Sequence, residues 1–419
     1  MSNTPQRMAM IGGVPAIGSE RKDGHGAASA DGRTAQRFCI MYDCLYPWTI
    51  GGAERWYRNL ALALARAGHD VTYLTLTQWA PGNEPELAGV RVVAVGPRLP
   101  LYSNGKRRVW PPIRFGIGVF FHLLRHGRCY DRVHTASFPF FSLLAAALVR
   151  PFARFTIAVD WFEVWSRPYW AEYLGPLGAV GWWVQALCAK VPQTAYSFST
   201  VHQSRLQAIG FKGQSALLPG LYASDAHHDL LESSTPPTVV YAGRFIPEKR
   251  LSLLIDALAI AMHERPALRA TLFGQGPDHA AVSAKITQLG LGDRIALPGF
   301  VDEPVMEKAM AGAIAIVQPS AREGYGMVVV EAAARGVPVV VVPGPDNAAV
   351  ELVQSGENGF VAADATPAAL AEAILACDRA GAVLRTSTRE WYARNRTRLS
   401  IETSIESVLS DAAGQRTPS

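Results

Sequence analysis

Apolar positions in this chain alternate between short continuous runs and stripes of helical spacing. Phe38-Cys39-Ile40-Met41-Tyr42 is an unbroken run of strand length, the pattern of a strand covered on both faces. A loop with Pro47, Gly51 and Gly52 follows, then a helical stripe through Trp56, Leu60, Leu62 and Leu64 that ends at Gly68, a glycine placed to close a helix. Val71–Leu76 is a strand again. Strand, helix and strand in that order predict a right-handed parallel unit, the start of a doubly wound sheet. Further strands are predicted at Val90–Val95, Arg132–His134, Phe155–Val159, Tyr196–Val201 and Ser215–Leu218. The apolar stretch Phe138–Val149 is about a dozen residues long, which predicts a buried helix rather than a membrane span.

The same grammar restarts after a polar, proline-bearing stretch at 227–237. Strand Val239–Ala242, helix Leu251–His263 and strand Ala270–Phe273 come first. Ile295–Leu297, Ala313–Val317, Val337–Val342 and Gly359–Val361 follow. The expected fold class is therefore α/β, with two facing Rossmann-like domains and a ligand cleft between them. The predicted boundaries are a disordered leader at 1–36, a first domain at 37–226, the linker at 227–237 and a second domain at 238–388. A C-terminal helix at 389–410, placed to pack back on the first domain, and a tail at 411–419 complete the chain.

Composition narrows this picture only a little. A chain of 419 residues with 49% apolar and 18% charged residues is globular and long enough for two cores. The formal charge of +5 suits anionic ligands or an anionic lipid surface, and equally an ordinary basic protein. Five cysteines without metal-like spacing suggest free thiols in a reducing compartment, hence a cytoplasmic protein.

Three loops carry candidate chemistry. The first is Ser320-Ala321-Arg322-Glu323-Gly324-Tyr325-Gly326, which joins a buried strand to a helix expected to begin near Met327. Its glycines allow close backbone approach, and the helix's free amides and positive dipole end favour phosphate or sugar oxygens. Glu323 in the loop and Glu331, expected about two turns into the helix, suit the two ends of one elongated hydroxyl-bearing ligand. Glu331 lies in an apolar stretch, where an acid needs a partner. The second loop, Gly243-Arg244-Phe245-Ile246-Pro247-Glu248-Lys249-Arg250, sets two cations at a strand's carboxyl end, an arrangement suited to a diphosphate, with ordinary solvated loop charges as the competing reading. The third is the Gly51-Gly52-Ala53-Glu54-Arg55 junction, a weak signal alone.

Taken together, these segments resemble the retaining glycosyltransferases of the group 1, or family-four, type, which have the two-domain GT-B fold. The resemblance also rests on Phe273-Gly274-Gln275-Gly276-Pro277, Leu297-Pro298-Gly299-Phe300-Val301 and Glu351-Leu352-Val353 with Asn358-Gly359. It covers roughly residues 37 to 410 and is densest in the second half.

The resemblance implies a hexosyltransferase that uses a nucleotide-diphosphate sugar as co-substrate, without a resident cofactor. Arg244 and Lys249 would neutralise the departing diphosphate. Glu323 and the amides of Gly324, Tyr325, Gly326 and Met327 would hold the sugar hydroxyls, and Glu331 the ribose. The main chain at Phe300 and Val301 would meet the base, and Gly51 and Gly52 would approach the phosphates. No Asp-x-Asp pair is present, so no essential metal is expected.

One departure stands out. Many relatives carry a histidine after the strand that here reads Phe155–Val159, whereas this chain continues Asp160-Trp161-Phe162-Glu163. Asp160 and Glu163 are both candidates for that place, with a helix-capping acid the competing reading. His134 is a further candidate, with a core role as its alternative.

The acceptor (glycan, lipid or small molecule), the donor base and the oligomeric state are not legible, and no nucleic-acid partner is expected. Peripheral contact with the inner membrane face, or with a lipid-linked acceptor, is one reading of Lys106–Arg114, and a solvated loop the other; the Trp161–Trp183 aromatics read as sugar-stacking faces, a lipid interface or core packing. The rival functions are a nucleotide-sugar epimerase of similar fold and a catalytically silent scaffold partner of another transferase.

Overall fold

A computed structural model of the protein describes residues 35–49, 51–103, 106–222 and 233–414. The expected leader up to 34, most of the linker and the last five residues lie outside the described residues.

The first domain runs β1 (Arg37–Met41), α1 (Gly52–Arg66), β2 (Asp70–Leu76) and β3 (Val90–Gly96). A short antiparallel pair, β4 (Tyr102–Ser103) and β5 (Lys106–Arg107), leads to α2 (Trp110–His126) and β6 (Arg132–Ala136). Then come α3 (Phe141–Ala153), β7 (Thr156–Trp161), α4 (Arg167–Leu174), α5 (Gly178–Ala189), β8 (Thr194–Ser197), α6 (Thr200–Ala208) and β9 (Ser215–Leu217). The seven strands form one parallel sheet in the order β3-β2-β1-β6-β7-β8-β9. Ile40 at its centre stands opposite Tyr73 on one side and His134 on the other.

The second domain opens with β10 (Thr238–Ala242), α7 (Leu251–Glu264), β11 (Arg269–Phe273), α8 (His279–Gln288), β12 (Ile295–Gly299) and α9 (Glu303–Gly312). It continues with β13 (Ala315–Gln318), β14 (Arg322–Glu323), α10 (Met327–Ala334), β15 (Val339–Val341), β16 (Asp346–Asn347) and β17 (Gly359–Val361). Six of these strands make a parallel sheet ordered β12-β11-β10-β13-β15-β17, while β14 and β16 pair apart from it. One apolar cluster fills the face of this sheet under α7 and the long helix α11 (Pro367–Leu399); the other face shares the larger cluster that includes the first domain's core.

In both sheets the chain leaves a central strand in one direction and later returns on its other side: β1 lies between β2 and β6, and β10 between β11 and β13. Such switch points open a crevice at the strands' carboxyl ends. The Gly51-Gly52 loop follows β1, the Arg244–Lys249 loop follows β10, and the Glu323 loop follows β13, so topology alone brings all three into the cleft.

Three local expectations change. Thr200 and Val201 are helical rather than strand, because the Ser199 side chain accepts a bond from the His202 amide and starts α6 there. The helix expected over Phe138–Val149 begins at Phe141, and its outer side is exposed at Leu148 and Phe152. The single helix expected at 389–410 is two. α11 bends at Gly381 (φ 50°, ψ −130°) and ends at Ser400, whose extended ψ of 144° turns the chain into α12 (Ile401–Gly414). That last helix lies on the first domain: Gln36 Nε2 donates to the Ala412 carbonyl at 3.1 Å, and the Gly220 amide donates to Ser404 at 3.1 Å.

Candidate functional site

Glu323 stands at the focus of the cleft. Lys249 Nζ, from the β10 loop, and Gln318 Nε2, from the end of β13, both donate to its Oε1; the Gln318 bond is 2.6 Å. Local folding explains the meeting. Pro247–Lys249 form a single 3-10 turn that carries Lys249 back over the sheet end, and β14 pairs Glu323 with Asn347. The two side chains retain only 17% and 14% of their exposure, so the pair lines the cleft wall. Arg244, by contrast, is exposed and its guanidinium has no hydrogen-bond or ion-pair partner among the described residues, leaving a free cation in the same loop as Lys249.

The glycines after Glu323 serve close contact. Gly326 caps α10 with φ +102°, a region that L side chains rarely adopt. A Cβ on Gly324 would sit 2.9 Å from both the Phe162 carbonyl oxygen and Glu163 Cγ. Across the cleft, a Cβ on Gly52 would lie 3.9 Å from Met327 Cγ. The amino ends of α1 and α10 thus face one another, and both dipoles favour negative charge between them.

Glu331 is the fifth residue of α10, little more than one turn in rather than two. Burial raises its carboxyl above the usual range, while Arg55 from α1 and Arg335 oppose that rise. Its main-chain carbonyl accepts from Arg335 at 2.7 Å, but its carboxylate has no hydrogen-bond partner among the described residues. Tyr325 reaches the other way and donates to the Pro219 carbonyl. Phe300 is 81% exposed between β12 and α9, an open platform with Val301 half-buried behind it.

Asp160 does not reach the cleft. It is fully buried, and its two oxygens are taken by Trp56 Nε1 at 2.7 Å and His134 Nε2 at 2.9 Å. The register of β7 sets it beside Ala136 and turns it inward beneath α1, so direct contact with a sugar or acceptor is ruled out in this arrangement. His134 is the core residue of the same pair. Glu163, beyond the strand end, emerges at the place the strand points to. It accepts from Arg322 at 2.5 Å and from Trp165 Nε1 at 2.7 Å.

Several residues of the cleft were given no role by the sequence. Arg322 stacks 4.0 Å over the Tyr169 ring and 4.8 Å over Trp165, and Tyr169 donates to Glu248 at 3.2 Å. His202 is buried, its Nδ1 accepts from the Val164 amide at 3.1 Å, and burial lowers its pKa against the pull of Glu163 and the Glu323 main chain. Glu351 accepts from the Thr200 and Val201 amides at 2.9 Å each, so an acid of the second domain caps a helix of the first. Arg205 pairs with Asp346 beside it. Arg322, Glu248 and Glu351 stood inside segments the sequence singled out, but without a role of their own; His202, Arg205 and Asp346 stood in none.

Comparison with known proteins gives a consistent outcome. Residues 51–219 match the family model described as a glycosyl transferase 4-like domain, and residues 224–377 match that of glycosyl transferases group 1. A D-inositol 3-phosphate glycosyltransferase of Streptomyces avermitilis is 30% identical over 146 residues, 32% of this chain and 31% of that protein. A GDP-mannose-dependent phosphatidylinositol monomannoside mannosyltransferase of Mycobacterium tuberculosis is 31% identical over 166 residues, 37% of this chain and 42% of that protein. An exopolysaccharide phosphotransferase of Streptomyces coelicolor is 34% identical over 34% of this chain, but that covers 15% of its own length. The matches thus span less than half of these relatives. Among solved structures, HepE of Anabaena in complex with UDP and glucose has a TM-score of 0.70 at 19% identity, covering 91% of this chain and all of that one. Sucrose-phosphate synthase of Thermosynechococcus elongatus has a TM-score of 0.72 at 19% identity, covering 90% and 98%. Both likenesses establish the GT-B fold.

Proposed function

This chain belongs to the group 1 glycosyltransferases, and from that premise we propose that it moves a hexosyl group from a nucleotide-diphosphate sugar to an acceptor with retention of anomeric configuration. The observation that carries the reading is the Lys249–Glu323 pair at the amino end of α10, with the amino end of α1 opposite and Arg244 exposed in the same loop as Lys249.

Each group then has a physical task. The departing diphosphate gains negative charge, and donors already fixed in place stabilise that charge without reorganising. Arg244 supplies an unengaged guanidinium fork for the phosphates, and Lys249 a point charge. Glu323, held by Lys249 and Gln318, accepts from a sugar hydroxyl, while the Gly324–Met327 amides donate to sugar oxygens. Glu331 is a burial-penalised carboxylate whose cost is relieved when ribose hydroxyls donate to it. Phe300 offers a ring face to the base, with the Val301 main chain beside it, and Gly51 and Gly52 admit the phosphates from the other wall. Glu163, not Asp160, is the first-domain acid placed to meet the sugar or acceptor; Asp160 acts through His134 and Trp56 by holding β6, β7 and α1 in register. Charge neutralisation by Arg244 and Lys249 gives a donor site that functions without a metal ion.

The test is thermal stabilisation of the purified chain by UDP, GDP, ADP and TDP, with and without chelator. One-site binding at 100 times Kd adds about 2.7 kcal/mol, so one diphosphate is expected to give a clear shift that survives chelator. If none shifts the melting temperature, the donor-site assignment is wrong.

A further inference from the structure

We propose that the outer face of α2, α3 and α5 is a docking surface for an anionic lipid bilayer, independent of the chemistry in the cleft. Right-handed crossovers from β3 to β6, β7 and β8 put these helices over one face of the first sheet, with α2 packed on α3 and α5 reached through the end of α3. Two bonds join their carboxyl ends in a row. Arg128, just past α2, donates to the Phe152 carbonyl of α3 at 3.1 Å; Arg150 of α3 donates to the Pro192 carbonyl just past α5 at 2.9 Å.

Each helix is apolar on two sides. On α2 the inner stripe Phe115, Val119 and Leu123 is buried, whereas Ile117, Phe121 and Leu124 at spacings of four and three face outward. α3 packs through Leu143, Ala146 and Val149 and exposes Leu148 and Phe152. α5 buries Ala186 and Cys188 and exposes Val180, Trp183 and Leu187. Phe121, Phe152 and Trp183 are 63%, 67% and 63% exposed. Solitary exposed apolar residues need no explanation, but a stripe shared by three neighbouring helices marks an interaction surface.

Charge identifies the occupant. The chain has 35 Asp and Glu residues, yet none falls within α2, α3 or α5. Arg125, Arg128, Arg154 and Lys190 are exposed at the carboxyl ends of the three helices, where the apolar stripe ends. Asp131, which follows α2, is held by Arg37 at 2.7 Å, and the exposed Glu172 lies on α4 rather than on the three helices. A protein partner of mixed charge would find both signs useful, whereas a surface of lipid phosphates requires cations alone around an apolar centre. Among the described residues no helix is long and apolar enough to cross a membrane, so the face would lie along the bilayer surface. Trp183 and the exposed Trp110 at the start of α2 are the residue type that settles at that boundary.

The experiment is sedimentation of the full chain with vesicles of phosphatidylcholine alone or mixed with phosphatidylglycerol. Partitioning into the anionic vesicles is expected to be at least ~10-fold stronger, and to weaken as salt is raised. Phe121→Ser, Phe152→Ser and Trp183→Ser combined should lower it ~10-fold or more, with the melting temperature and the nucleoside diphosphate shift retained. Arg125→Glu, Arg154→Glu and Lys190→Glu combined should abolish the anionic preference, a second test should the first variant fold poorly. Three results overturn the proposal: no sedimentation with either vesicle, equal sedimentation with both, or binding that neither variant changes. Self-association of the wild type that the serine variant abolishes, without vesicle binding, would assign the face to a second copy instead.

Discussion

Glu331 is under opposed demands. Burial disfavours its charged form and raises its pKa, so stability from the neutral form is lost as pH rises from the unfolded value toward the folded one. At neutral pH Glu331→Gln should therefore raise the melting temperature of the free protein. The same change should weaken nucleoside diphosphate binding ~10-fold or more, the loss expected for hydrogen bonds to a charged acceptor; calorimetry and a melt on one sample check both signs. Arg244 makes the opposite case. Its side chain is exposed and holds nothing in the fold among the described residues, while its main-chain carbonyl, which accepts from Tyr241, survives substitution, so Arg244→Ala should leave stability within about 0.5 kcal/mol and lower kcat by ~100-fold. Both residues were legible in the sequence, because each belongs to a short contiguous pattern that a strand end and a helix start impose.

At the scale of elements, the Asp160 network shows what registers the cleft walls. Asp160, His134 and Trp56 join β7, β6 and α1 inside the first domain. Asp160→Ala removes an acid whose partners stay buried and should destabilise the protein by about 3 kcal/mol, read from the denaturant midpoint. Asp160→Asn retains an acceptor and should cost less. The position of Asp160 at a strand end made it a candidate for the cleft in the sequence. Whether a residue there turns inward or outward depends on the pleat and the neighbouring strands, which only pairing with Ala136 specifies. The same limit applies to Thr200 and Val201, where a β-branched pair suited a strand but the Ser199 cap and Glu351 made a helix start.

For the whole molecule, closure rests on contacts between domains. Glu163 with Arg322, Tyr169 with Glu248, Arg205 with Asp346 and Glu351 with the start of α6 all cross from one domain to the other. Gly324 fits against Phe162 and Glu163 with no room for a Cβ. Gly324→Ala should hold the domains apart, seen as a larger radius of gyration in solution scattering together with reduced turnover. The interdomain surface also includes His202, and α2 carries His122, whose pKa is lowered to about 4, first by burial and then by His126 and Arg91. The unfolded chain binds these protons more readily, so stability should fall as pH drops from about 6.5 toward 4. His122→Gln and His202→Gln should each flatten that slope, followed by melts across the range.

The sequence by itself determined the two α/β domains and the loops that end their central strands. Strand and helix periodicity are local, and a parallel sheet with right-handed crossovers admits few arrangements of such elements. It also offered Arg244, Lys249, Glu323 and Glu331 as candidates, because they stand at or near strand–helix junctions that the family resemblance ties to a nucleotide-sugar site. The tertiary structure alone decided that Lys249 and Gln318 clamp Glu323, that Glu163 faces the cleft while Asp160 lies under it, and that Glu351 caps a helix of the other domain. Those contacts join residues far apart along the chain, and their geometry follows from sheet order, register and domain approach, none of which leaves a periodic trace in the sequence.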